Sequence, residues 1–355
     1  MDIGIPKETR DLDQRVGLGR NTVAQLVRHG HSVFVETGDG AGAGFADEDY
    51  IDAGATIAYS AEEVYLRAAM ICRVTTPSLE EIELMQPGQI VCGFFHLSAA
   101  SPRRMERILE RGITAFAYEL LQTEDGDRPI LRPMSEIAGR LVPQIAARLL
   151  ESPDGRGLLL CGIPGLPPAE TMVLGAGEVG FNAARCFAGL GAQVTVLDDA
   201  HRLANMDQVF DVPGRIRTMF AYPNQIAQAT SFCNVLVGAI LRPGERTPHV
   251  VSEQMVRNMR PGAVIIDVSI DQGGCVETSR PTTLRDPTYV KHGVTHYCVP
   301  NFTALVARTA SRALSNVVRP FVPRLADDPD SIAVDPLIRS AVVVHRGTIV
   351  NDRIA

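Results

Sequence analysis

The chain has 355 residues, 45% of them hydrophobic, and a formal net charge of −7. That length suggests about two domains with a sizeable core, and the acidic balance argues against a general affinity for nucleic acid or anionic membranes. No apolar run approaches the roughly 18 residues needed to span a bilayer, and Met1-Asp2-Ile3-Gly4 lacks the basic and apolar regions of a secretory signal. The seven cysteines are odd in number and show no C-x-x-C spacing. They read as buried thiols of a cytoplasmic protein, neither disulfides nor zinc ligands.

In chain order, residues 2–6 predict a strand, followed by a polar loop that carries Arg15. Val23, Leu26 and Val27 share one face of a helix over 20–29, closed by His29-Gly30. Ser32 to Glu36 is a β-branched strand, and the glycine-rich run Gly38–Gly44 is a loop. Then come a helix at 60–68, strands at 70–74 and 90–96, a helix at 101–111 and a strand at 114–119. Such alternation implies parallel strands with crossover helices, so the first 125 or so residues already make an α/β domain. Residues 123–133 are turn-rich, and Ile137, Leu141, Ile145 and Leu149 mark a helix over 134–150. Further strands are expected near 171–174, 194–198, 234–239, 263–268 and 294–299, then a long helix over 303–325 and an alternating strand-like piece from Ala341 to Val350.

The strongest motif is Thr171-Met172-Val173-Leu174-Gly175-Ala176-Gly177-Glu178-Val179-Gly180, answered by Asp198. Gly175 permits the tight turn, Gly177 lets backbone approach a pyrophosphate, and Gly180 allows close helix–strand packing. The following helix offers free N–H groups and a positive dipole end to phosphates, with Glu178 and Val179 in its first turn. Asp198 falls where an acid binds the ribose 2′-hydroxyl, which favours NAD over NADP.

Other candidates stand at or just after strand ends, each with two readings. His96 is a general acid/base or a structural histidine. Arg15 is a bidentate clamp for a carboxylate or a surface ion pair. Asp271 steadies positive charge near a nicotinamide or is a turn aspartate before Gly273-Gly274. Asn301 orients a nicotinamide or caps the next helix. The remaining histidines, His29 and His31 among them, show no metal-type spacing, and no metal is expected.

Together these pieces resemble the alanine dehydrogenase family, which is related to the nucleotide-binding part of proton-pumping transhydrogenase. The resemblance rests on Ile3-Gly4-Ile5-Pro6-Lys7-Glu8-Thr9, Arg15-Val16, Phe95-His96-Leu97, Met134-Ser135-Glu136, the glycine fingerprint and Asp267-Val268-Ser269-Ile270-Asp271-Gln272-Gly273-Gly274-Cys275. It covers almost the whole chain. It implies two Rossmann-like α/β domains with doubly wound parallel sheets, joined by long helices with a crevice between them. Residues 1–130 with 305–355 would form the substrate domain, and 131–304 the NAD-binding domain. The resemblance further implies that an L-amino acid is oxidised to an imino acid, that water then hydrolyses the imino acid, and that the protein is a homo-oligomer, a hexamer built on dimers. Arg15 would hold the substrate carboxylate, His96 would polarise or protonate the substrate, and Asp271 would assist at the nicotinamide side. Ser135, Leu241 and Asn301 would lie near the cofactor.

The chain departs from that family at several points. Where the family carries Lys-Val-Lys-Glu-Pro, this chain reads Arg73-Val74-Thr75-Thr76-Pro77, so Thr75 replaces a catalytic lysine. Phe302-Thr303 and Val306-Ala307 replace prolyl motifs, and Arg242 stands where an apolar residue is usual. The function expected is therefore an NAD-dependent oxidoreductase for an amino or imino acid with an altered pocket, in which Arg242, Arg20 or Arg73 replaces the missing charge. A non-oxidative enzyme with tightly held NAD and a silent NAD-binding protein are the alternatives.

Overall fold

The computed structural model describes residues 1–96, 102–153, 155–209, 215–242 and 244–351. The chain divides into two compact units. One is Met1–Met134, Pro243–Glu245 and Thr303–Ala355; the other is Ser135–Arg242 and Arg246–Phe302. The division falls inside the helix Leu131–Leu150.

The first unit carries β1 (Asp2–Ile5), β2 (Ser32–Glu36), β3 (Thr56–Ala58), β4 (Met70–Thr75), β5 (Ile90–Phe94) and β6 (Thr114–Ala117). The second carries β7 (Glu170–Leu174), β8 (Gln193–Asp198), β9 (Ile216–Phe220), β10 (Val235–Gly238), β11 (Val264–Asp267), β12 (Thr288–Lys291) and β13 (Val294–Tyr297). The tail returns β14 (Val342–His345) and β15 (Thr348–Ile349) to the first unit.

The first sheet runs β15-β14-β6-β5-β4-β1-β2-β3 and the second β12-β13-β11-β10-β7-β8-β9. Without their antiparallel edges, both have the doubly wound order 3-2-1-4-5-6. The chain reverses direction of winding between β1 and β4 in one sheet and between β7 and β10 in the other. Ligands of open parallel sheets sit beyond the carboxyl ends of the strands at such a point. The central strands are buried along their length, as strands covered on both faces must be. Ile71, Val91, Phe95 and Ala115 centre one core; Leu174, Leu236, Ile265 and Val294 centre the other.

Four expectations are corrected. The sheets are mixed, because β12, β14 and β15 are antiparallel. The tail is a hairpin rather than one strand: Arg346 and Gly347 both take positive φ (48° and 77°), the two-residue turn that matches strand twist. The helix expected over 303–325 is instead a 3-10 turn, Phe302–Val306, and helices Ala307–Val318 and Val322–Asp327. Pro320, lacking an N–H, stands at the break. The strand expected to end at His96 ends at Phe94, since His96 adopts a left-handed φ of 46° that a ladder cannot contain. Leu97, the end of one quoted motif, and the first residue of the helix expected over 101–111 lie outside the described residues. That helix runs Pro102–Glu110.

Candidate active site

In the first unit, the carboxyl ends of β1, β4, β5 and β6 gather a set of buried polar groups. Arg15 lies in the loop after β1 and is 5% exposed, so it is no surface pair. Its Nε donates to Asp13 Oδ1 at 2.8 Å and its Nη2 to Asp13 Oδ2 at 2.5 Å, a two-bond fork that fixes the guanidinium plane. Nη1 donates to Thr303 Oγ1 at 3.0 Å. One departure from the family pattern thus touches the proposed carboxylate clamp directly.

Thr75 closes β4 where the register with β5 shifts between Cys72 and Thr75. Its hydroxyl donates to Glu8 Oε2, and its N–H reaches the same carboxylate at 3.2 Å. Glu8 also accepts from Val74 N at 2.6 Å and Arg73 Nη2 at 3.2 Å. Arg73 is wholly buried and spends its other donors on Glu81 Oε1 (2.6 Å), Tyr65 Oη (2.9 Å) and the Thr75 carbonyl (2.7 Å). Burial works against its charge, but Glu8, Tyr65 and Glu81 outweigh that and raise its pKa. Arg73 is consumed by this network and does not supply the missing cation. Arg20 is committed to Asp49 at 2.9 Å on an exposed face. Thr76 donates to the carbonyls of Phe94 (3.0 Å) and Phe95 (2.6 Å), pinning β4 to the turn that carries His96.

That turn is held by Glu119, which follows β6. Its carboxylate accepts from His96 N at 2.6 Å and from Phe95 N at 3.2 Å. The His96 ring stacks on Phe94 at 6.2 Å, and its Nδ1 is sealed from solvent with no hydrogen-bond partner among the described residues. A non-glycine left-handed residue with an unsatisfied buried ring nitrogen is the kind of strained position that clusters at functional sites.

In the second unit, Gly175 follows β7 with φ of 100°, and a Cβ there would lie 2.4 Å from the Ala239 carbonyl. A Cβ on Gly180 would meet the Gly175 carbonyl at 1.8 Å, so both positions demand glycine. Gly177 is different: only the tip of Arg202 lies within reach, leaving space for a ligand to approach. It is the N-cap of helix Glu178–Gly189 and brings no capping side chain, so the first N–H groups remain to bind phosphate. Glu178 is exposed and accepts from Asn182, and Val179 is half-buried. Asp198 ends β8; its Oδ2 accepts from Ala176 N at 2.5 Å and lies 3.6 Å from Arg202. A cavity of about 100 Å³ opens beside Gly175 and Asp198, walled by Leu174, Leu197, Ile226 and Ile240. Open turn, uncapped helix start and carboxylate at the next strand's end fit a dinucleotide.

Asp271 sits half-buried in a 3-10 turn, Val268–Gln272, at the end of β11. Asp267 anchors the turn from below, accepting from Cys275 N (3.0 Å) and Val276 N (3.2 Å), and its burial raises its pKa. Ser269 Oγ ties the same turn to the Ile240 carbonyl at 2.8 Å, next to exposed Leu241. Ser135 is buried in helix Leu131–Leu150, and Asn301 is buried between β13 and the turn Phe302–Val306. Asp13, Glu119 and the holding role of Glu8 escaped the sequence reading, because each partner is identified only by contact. Five of the seven cysteines are buried, and all are free.

Comparison with known proteins adds independent findings. Residues 4–138 match the family model described as alanine dehydrogenase/PNT, N-terminal domain, and residues 142–352 match its C-terminal domain. An alanine dehydrogenase of Mycobacterium tuberculosis is 41% identical over 359 residues, covering 100% of this chain and 96% of that one. One of Bacillus subtilis is 41% identical over 360 residues, covering 100% and 94%. A solved L-alanine dehydrogenase superposes with a TM-score of 0.90 at 41% identity over 100% of this chain and 98% of its own. A transhydrogenase from Sinorhizobium meliloti shares the fold, with a TM-score of 0.78 at 22% identity, covering 99% of each chain.

Proposed function

The chain belongs to the alanine dehydrogenase/PNT family, and from that premise we propose that it is an NAD-dependent oxidoreductase acting on the CH–NH2 group of an L-amino acid, with a substrate pocket altered at Thr75. Bound NAD supplies the hydride acceptor. The first unit is the substrate half in this reading, and the second is the cofactor half.

Arg15, its plane fixed by Asp13, takes the substrate carboxylate by charge-assisted hydrogen bonds. His96, with Nδ1 sealed, works through Nε2. It accepts the proton released when the amine loses a hydride from Cα and becomes an imine, and later helps water add to that imine. Water addition and loss of ammonia leave a 2-oxo acid. Asp271, held by the turn that Asp267 and Ser269 anchor, steadies the positive charge that develops on the substrate nitrogen as hydride passes to the nicotinamide. The Gly175–Gly180 turn and Asp198 hold pyrophosphate and ribose, while Ser135, Leu241 and Asn301 contribute to the cofactor site.

The observation that carries the altered pocket is the Thr75–Glu8 bond: position 75 presents a neutral hydroxyl already given to a carboxylate. A lysine there would bring a cation to the carboxylate or carbonyl of the substrate; Thr75 brings none. No contact among the described residues favours a non-redox or silent protein over net oxidation. A homo-oligomer and a cytoplasmic location belong to the same reading. Net NADH formation from a panel of L-amino acids tests it, and binding of NAD without turnover of any of them would reject it.

A further inference from the structure

We propose that His29, His31 and Asp327 form a binding site for one divalent transition-metal ion of the zinc class, at the end of the first sheet remote from Thr75. His29 caps the helix Arg20–Arg28, His31 stands just before β2, and Asp327 is the last residue of the helix Val322–Asp327. The intervening Gly30 turn brings both rings onto one carboxylate. Asp327 Oδ2 lies 3.0 Å from His29 Nδ1, and Oδ1 lies 2.9 Å from His31 Nε2. One donor atom from each residue lies within 4.8 Å of the other two.

An ion held at about 2.0–2.2 Å by imidazole nitrogen and carboxylate oxygen needs donors roughly 3–3.5 Å apart. His29 Nδ1 already lies that close to one carboxylate oxygen and His31 Nε2 to the other, while donors taken one per residue lie within 4.8 Å of one another. Two imidazoles and one carboxylate form a borderline donor set that suits zinc and its neighbours, whereas magnesium and calcium take oxygen ligands. A fourth position is left for water.

The His31 side chain is 7% exposed and therefore fixed, while His29 (40%) and Asp327 (45%) leave the approach open. The other ring nitrogen of His31 lies 3.1 Å from the Met1 amine. β4, parallel to β2, carries Thr75 at its opposite end, seven residues beyond the level of His31 and so about 23 Å away at about 3.3 Å per residue. The ion would thus clamp position 29 to position 327 without entering the reaction.

The test is a Co²⁺ titration of the untagged full chain followed by visible spectroscopy, with melting temperatures measured with and without Zn²⁺. One Co²⁺ per chain is expected, displaced by Zn²⁺ and without a thiolate charge-transfer band. His29→Gln and Asp327→Asn should each weaken binding by about tenfold or more while leaving NAD affinity unchanged, and Zn²⁺ should raise the melting temperature of the parent chain alone. His29 is exposed, so its replacement leaves the fold intact. Equal affinity in the parent and both variants, no binding at all, or a thiolate band pointing to exposed Cys161 would each overturn the site.

Discussion

Thr75 donates its hydroxyl to Glu8, and the same carboxylate collects the backbone N–H groups of Val74 and Thr75 and the guanidinium of Arg73. The end of β4 is therefore electrostatically closed. Glu8 is neutralised by Arg73, and no positive charge projects from position 75.

Replacement of Thr75 by lysine restores a cation at that strand end. By comparison with other electrostatic stabilisers, Thr75→Lys is expected to raise kcat/KM for L-alanine by about 10²–10³, measured as initial rates of NADH formation. An unchanged ratio would show that position 75 does not limit alanine oxidation.

Arg15→Lys keeps the charge but loses the planar fork that Asp13 orients. A carboxylate bound by two parallel bonds would then meet a point charge. KM for the amino acid should rise by about tenfold or more, with a smaller change in kcat, in a protein whose melting curve confirms folding. A fall in kcat at constant KM would place Arg15 elsewhere in the reaction.

Asp198→Ala removes the carboxylate assigned to the ribose. Loss of a charge-assisted hydrogen bond costs about 1.5–3 kcal/mol, so calorimetry should show NAD binding weakened by about tenfold or more. Discrimination against NADP should narrow too, because the repelling charge is gone and Arg202, 3.6 Å from Asp198, remains. Unchanged NAD affinity would remove the ribose assignment.

His296, buried in β13, donates from Nδ1 to the Val294 carbonyl at 3.0 Å and accepts at Nε2 from Thr278 Oγ1 at 2.8 Å, a neutral tautomer. Burial lowers its pKa from 6.5 to about 4. The unfolded chain binds the extra proton first as pH falls. The stabilisation is complete above pH 6.5 and declines towards pH 4, by about 3 kcal/mol over that window. His296→Gln should flatten this decline in denaturant unfolding followed against pH. An equally steep decline in the variant would locate the acid sensitivity in other groups.

The cofactor turn was legible because its whole logic is local: a strand, three glycines at fixed spacing, a helix start and an acid at the end of the next strand. The parallel core strands were legible from their apolar runs. The antiparallel edges were not. The turns His292-Gly293 and Arg346-Gly347 place a non-glycine residue at positive φ before a glycine, a weaker signal than Asn-Gly. The buried polar cluster of the first unit was legible as residues but not as partners. Arg15 was visible; that Asp13 holds it and Thr303 touches it was not, since Thr303 is 288 positions away. Glu8 meets Thr75 across 67 positions and His31 meets Asp327 across 296, contacts that no periodicity encodes.

The central claim is net, NAD-linked oxidation of an L-amino acid, and one time course tests it. The purified full chain is incubated with NAD and each L-amino acid in turn, and NADH, 2-oxo acid and ammonia are quantified together. The account predicts that at least one amino acid yields all three in equal amounts. Ammonia or another product released without NADH, or NAD bound with none of the three formed from any amino acid, would contradict it.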